Sequence, residues 1–298
     1  MQSYSLTFSR DSERRLWLTL AIASSVTVIE LFGGISSHSL ALLSDSGHVF
    51  TDVLTIGVSI LTLRLARRPH SSTRTFGYHR AEILSALVNG STLTFISFLI
   101  IYQAYQRLLQ PSQVQGSLVV LIALVGLAGN LTIARLFLKS RRNSLNVKGV
   151  FLHAIGDILS SSGVVIGGLI VVFTSYNRID PVIAILIGVL ILRNAYGLVR
   201  ESTEVLLEAT PKHLQLENVA KAILAVEGVE GVHDLHVWTI TSGLYAVSGH
   251  ITVKAQTIEQ GSKIIGEVSA RLRNGFGIEH VTLQLERETL EKIQHMDH

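Results

Sequence analysis

The chain has 298 residues, of which 48% are hydrophobic and only 16% charged, too little charge for the surface of a soluble protein of that length. It holds no cysteine and two methionines, which excludes disulfides, thiolate metal sites, cysteine nucleophiles and a thioether route for Cu(I). The net charge of +3 sits on Lys and Arg beside apolar segments, so it reads as membrane topology and not as a nucleic-acid footprint.

The opening stretch MQSYSLTFSRDSERR lacks the basic, apolar and small-residue order of a cleaved signal peptide. A spanning helix needs about 20 mostly apolar residues. Residues 16–35, 40–63, 83–102, 117–138, 150–173 and 181–199 meet that requirement. Asp180-Pro181 opens the last of them as an N-cap followed by a first-turn proline. Arg10, Arg14 and Arg15 precede the first helix. Arg64, Arg67, Arg68, Arg74 and Arg80 surround the second loop, and Lys139, Arg141, Arg142 and Lys148 fill the fourth. The odd-numbered loops hold only Arg107 and Arg178 between them. This asymmetry predicts cytoplasmic N- and C-termini.

Beyond residue 208 the periodicity changes. Residues 214–226 and 258–273 read as helices, and 231–240, 244–253 and 280–286 as strands. The fold class is therefore an α-helical membrane protein with six transmembrane helices, plus a cytoplasmic α+β, ferredoxin-like C-terminal domain. The predicted domains are 1–207, which spans the membrane, and 208–298, which is soluble.

Two short stretches carry the chemistry. HVFTD and HAIGD place His48 four residues before Asp52 and His153 four before Asp157. On a helix, residues four apart share a face, one turn above each other. A lone His or Asp in a helix reads as a satisfied hydrogen-bonding group. The same spacing on two membrane helices, where ionisable groups are costly, reads as a site. Packed face to face, the pairs supply two His and two Asp. Such an N2O2 set suits Zn(II) and also holds Cd, Co or Ni. Four protein ligands leave no position for a reactive water, which argues for carriage and not catalysis. Metal and protons compete for these ligands, so exchange of one for the other follows.

Asp45, three residues before His48, has an entrance or proton role, or is an ordinary polar residue near the helix end. Glu30, Asn89 and Asn130 are expected to make interhelical hydrogen bonds. Gly163 and Gly167 form a small-residue packing pattern. In the soluble domain, His250, His280 and Glu286 fall on the polar faces of their strands and could converge on a metal. No Gly-x-x-x-x-Gly-Lys-Ser/Thr loop and no His-Glu-x-x-His motif occurs, which disfavours an ATP-driven pump and a zinc hydrolase. A passive channel is the remaining alternative, although a closed four-ligand site holds its ion too firmly for one.

SLALLSDSGHVFTD, TFGYHRAEIL followed by VNG, LHAIGDILSS, VHDLHVW and EHVTLQLE together resemble the cation diffusion facilitators over essentially the whole chain. The resemblance implies a homodimeric, proton-coupled exporter of divalent cations with no organic cofactor. Its transport site would be His48, Asp52, His153 and Asp157, and a His at the first of these positions tilts the preference toward zinc. The resemblance also adds His233 to His250, His280 and Glu286 as ligands of a regulatory zinc. Strand alternation instead favours His236, which stays in reserve. His70 and His79 read as residues of a solvated loop, and His295 and His298 as at most weak scavengers. The fourth loop has no His, which by analogy points to a bacterial plasma membrane.

Overall fold

The computed structural model describes residues 10–66, 73, 75–138, 145–254 and 257–287; within 10–13, 15–16, 59–66, 137–138 and 145–154 it describes the backbone alone. Long helices come first: α1 (Arg10–Ser37), α2 (Leu40–Ala66), α3 (Arg80–Leu109), α4 (Gly116–Leu138), α5 (Leu145–Thr174) and α6 (Ile179–Leu206). Then follow α7 (Leu216–Leu224), β1 (Val229–Thr241), β2 (Leu244–Val253), α8 (Ile258–Phe276) and β3 (Ile278–Glu286). The chain divides into two compact units. One comprises 1–64 and 85–199; the other takes in 65–84 with 200–298.

Among the described residues, five helices, α1 and α3–α6, are long and apolar enough to cross a membrane. α2 carries Asp45, His48 and Asp52 in its first half. Large apolar side chains such as Phe32, Phe95, Leu159 and Phe173 face outward, as hydrocarbon surroundings require. Small residues face inward. A Cβ on Gly33 would come within 2.2 Å of Ile122, and one on Gly129 within 2.5 Å of Val26, so glycines let α1 and α4 approach closely. In α5, Gly167 carries the close approach, with Ile183 only 2.2 Å from a Cβ built there, whereas Gly163 meets nothing within 4 Å. The expected pairing of Gly163 with Gly167 is corrected accordingly.

Asp180 also departs from expectation. Its carboxylate accepts from Leu40 N at 2.7 Å, from Ala41 N at 3.3 Å and from the Ser39 hydroxyl. It therefore caps α2 from α6 instead of capping its own helix. Two orphan N–H groups at the start of α2 are met from outside, where His38, at φ 54°, turns the chain sharply between α1 and α2.

The second unit is a three-stranded sheet in the order β1-β2-β3. The β1–β2 pair is antiparallel and β2–β3 parallel, so α8 is the crossover that parallel pairing needs. Val237, Val247, Ile251 and Val253 pack against Val219 and Ile223 of α7 and Ile264, Val268 and Leu272 of α8. This is a two-layer α+β fold. Thr257 and Gln260 form a capping box at the start of α8, and Gly277 ends the helix at φ 68°. At the first turn of α3, Glu82 accepts from Thr241 Oγ1 at 2.6 Å and Ser242 Oγ at 3.1 Å.

Candidate metal centres

The first candidate lies among α2, α4 and α5. Each helix brings a polar face inward because the outer face is given over to apolar side chains. His48 Nε2 stands 3.1 Å from Asp157 Oδ1. Tetrahedral zinc, about 2.0–2.1 Å from each donor, holds neighbouring ligand atoms about 3.3 Å apart, so this separation suits two ligands of one ion. Asp52 is half-buried one turn along α2, close enough for its charge to act on His48. His153 occupies α5 one turn before Asp157, in the stretch whose side chains lie outside the described residues.

Asp45 does not line an entrance: it is 1% exposed. Its carboxylate accepts from Ser160 Oγ at 2.7 Å and Ser161 Oγ at 2.8 Å. Ser161 in turn accepts from Asn130 Nδ2 at 3.0 Å. This chain of bonds ties α2, α4 and α5 together one turn from the His48–Asp157 contact. The two serines are site-supporting residues that the sequence reading missed. Their signal was the run SSS at 160–162, which places small hydroxyls three and four residues after Asp157. Asn89 donates to Thr55 Oγ1 at 3.4 Å, so Asn89 and Asn130 make the interhelical bonds expected of them. Glu30 does not: it is fully buried and neither carboxylate oxygen has a hydrogen-bond partner among the described residues.

The second candidate is in the soluble unit. His250 Nδ1 lies 2.7 Å and His233 Nε2 3.2 Å from the two oxygens of Glu286. All three ligand atoms fit within 4.8 Å of one another. An N2O set at that spacing fits zinc, with a fourth position left open. Register explains the convergence: His233 pairs with His250, and Glu286 sits two residues beyond Gln284, the partner of His250 on β3.

His280 is not brought to the triad. It pairs with Ala246, four residues from His250, a displacement of about 13 Å along the strand. Its exposed ring packs instead on Phe76, centroid to centroid 5.8 Å. His236 is not brought there either. It is exposed and bonds Asp234 Oδ1 at 2.9 Å, which holds the Asp234 carboxyl below its ordinary value.

A bulge reconciles His233 with strand alternation. Between His233 and His236 the register slips by one residue, and Asp234 adopts φ 50°, a conformation Asp tolerates better than most. The extra residue puts His233 and His236 on one face. Gly249 makes room for it: a Cβ there would stand 3.0 Å from Leu235 Cδ1 and 3.4 Å from the Asp234 carbonyl. His79 belongs to a turn, while His70, His295 and His298 lie outside the described residues.

The family model "Cation efflux transmembrane domain" matches residues 16–207, and "Cation efflux protein, cytoplasmic domain" matches 211–288. The chain belongs to the cation diffusion facilitator family. The cadmium, cobalt and zinc/H(+)-K(+) antiporter of Bacillus subtilis is 35% identical over 280 residues, covering 93% of this chain and 90% of the relative. The metal cation efflux system protein CzcD of Cupriavidus metallidurans is 37% identical over 287 residues, or 96% of this chain and 90% of the relative. A solved structure, the metal-bound C-terminal domain of the CzcD transporter from Cupriavidus metallidurans, is 36% identical, covers 24% of this chain and 99% of its own, and gives a TM-score of 0.23. This cation diffusion facilitator is thus a multi-pass membrane transporter for metal-cation efflux, not an enzyme.

Proposed function

We propose that the protein exports Zn(II) from the cytoplasm in exchange for protons, with His48, Asp52, His153 and Asp157 as the ligands of the travelling ion. The observation that carries this reading is the contact of 3.1 Å between His48 of α2 and Asp157 of α5, which joins the two His-x-x-x-Asp helices at one point. The two carboxylates offset the dication, so the loaded site is roughly neutral in a setting that penalises charge. When the metal leaves, its ligands take protons in its place. Cd, Co and Ni are further cargo for the same donors.

The charge asymmetry of the loops supports cytoplasmic termini in a plasma membrane. The division between a transport domain, 1–207, and a soluble domain, 208–298, follows from the change of periodicity. The match to the family's soluble domain supports a homodimer, and His233, His250 and Glu286 form the site for a regulatory zinc.

Zinc flux into proteoliposomes, with and without an imposed pH gradient, tests the exchange. Flux is expected to follow the gradient and to move protons the opposite way, and Asp157→Ala to abolish it without loss of folding. Flux indifferent to the gradient would favour a passive channel. Near-normal flux in Asp157→Ala would remove the four-residue site.

A further inference from the structure

The chemistry so far leaves one buried acid unused. Glu30 of α1 is fully buried, and both its oxygens lack a hydrogen-bond donor among the described residues. Its carboxyl lies against Gly126 of α4, where a Cβ would stand 1.9 Å from Oε1. The glycine leaves room for the carboxyl and offers nothing to bond it. A carboxylate is an acceptor only, whereas a carboxylic acid brings its own donor. An ionised group with no donor in such surroundings is among the most costly arrangements a membrane helix can hold.

The groups around it are few. α2 contributes Asp45, whose charge reaches Glu30. α4 carries no titratable side chain before Arg135, more than two turns beyond Gly126. Among the described side chains of α5 the titratable group is Asp157, and its charge and that of His48 reach Asp45. Glu30 is therefore linked through one carboxylate to the metal ligands, without being one of them.

We propose that Glu30 is a proton-binding site of the export cycle, holding a proton while the metal site is empty and giving it up when the next dication arrives. The inference rests on the zinc–proton exchange reading above. Each turn makes one O–H bond at Glu30 with a proton from the far side of the membrane. The same bond breaks on metal loading, and the proton leaves to cytoplasmic water. The arriving dication supplies the charge that makes the ionised carboxylate tolerable. Asp45, held in place by Ser160 and Ser161, passes the electrostatic effect between them.

The test separates net exchange from metal exchange. The full chain carrying Glu30→Gln, which keeps the shape and removes the titration, is reconstituted beside the wild type. Zinc self-exchange, with equal zinc and equal pH on both sides and a tracer isotope, needs no proton transfer. Net zinc flux under a pH gradient does. Glu30→Gln is expected to retain self-exchange and, because the metal ligands still take protons, to move fewer protons per zinc than the wild type under the same gradient. An unchanged number of protons moved per zinc in Glu30→Gln overturns the proposal, as does loss of self-exchange in a protein that still binds zinc. Should Glu30→Gln not fold, Glu30→Asp, which retracts the acid, is expected to shift the pH of half-maximal flux, and an unshifted profile overturns the proposal. A wild type whose flux ignores the gradient would instead refute the exchange reading itself, and the proton site with it.

Discussion

In the proposed transport site, the side chain at position 48 decides between an N2O2 and an N1O3 donor set. Imidazole is a borderline-soft donor and favours Zn(II), whereas an additional carboxylate is harder and less discriminating. An aspartate also leaves the loaded site with a net negative charge, which penalises no dication in particular. His48→Asp is expected to keep transport and to narrow the ratio of zinc to cadmium flux in proteoliposomes. An unchanged ratio would place selectivity outside the four ligands. Asp45 acts differently. Its two serine bonds hold α2 against α5, which makes it a positioning residue for His48.

At the scale of elements, the α2 N-terminus is where the ligand-bearing helix is fixed to its neighbours. Asp180 satisfies Leu40 N and Ala41 N and bonds Ser39, and Arg107 donates to the His38 carbonyl just before them. Removing a helix cap costs about 0.5–2 kcal/mol, and more when the freed donors are buried. Asp180→Ala is therefore expected to lower the thermal midpoint of the detergent-purified protein and to weaken zinc binding at the α2–α5 site. Asp180→Asn, which keeps one acceptor oxygen, should recover part of both. Equal losses in the two variants would mean that charge, not capping, is what Asp180 supplies.

How much of this was legible in the sequence follows the range of the interaction. The helices, the strand faces and the His-x-x-x-Asp pairs are written in spacings of two to four residues, and those readings reached the right elements. Asp180 was misassigned because proline after aspartate is a local signal for a helix start, while the bonds that matter join it to residues 140 positions away. His280 shared the correct strand face, yet register places it beside Ala246, and register is set by the bulge and the crossover. The bulge itself had a local trace in His233-Asp234 facing a glycine, but without the pairing nothing marked Gly249 as its partner.

For the whole molecule, the two metal sites differ in kind, and that difference can be measured. The proposed transport ligands stand on membrane helices, with Asp157 buried and His48 and Asp52 half-buried, and would supply four donors of balanced charge. The soluble triad supplies three, with His233 34% and His250 22% exposed at the side chain, so zinc reaches it directly from water. Binding there needs no helix movement and moves no ion across the membrane. Zinc titration of the detergent-purified full chain is expected to show two classes of site. His250→Ala should remove the class that exchanges rapidly with a soluble chelator and leave the other in place. Asp157→Ala should do the reverse. Each class should weaken as pH falls, because neutral imidazole is the ligand in both and protons compete for it. If His250→Ala abolished both classes, the sites would be coupled, and zinc on the soluble triad would be a condition for loading the membrane site, not an independent event.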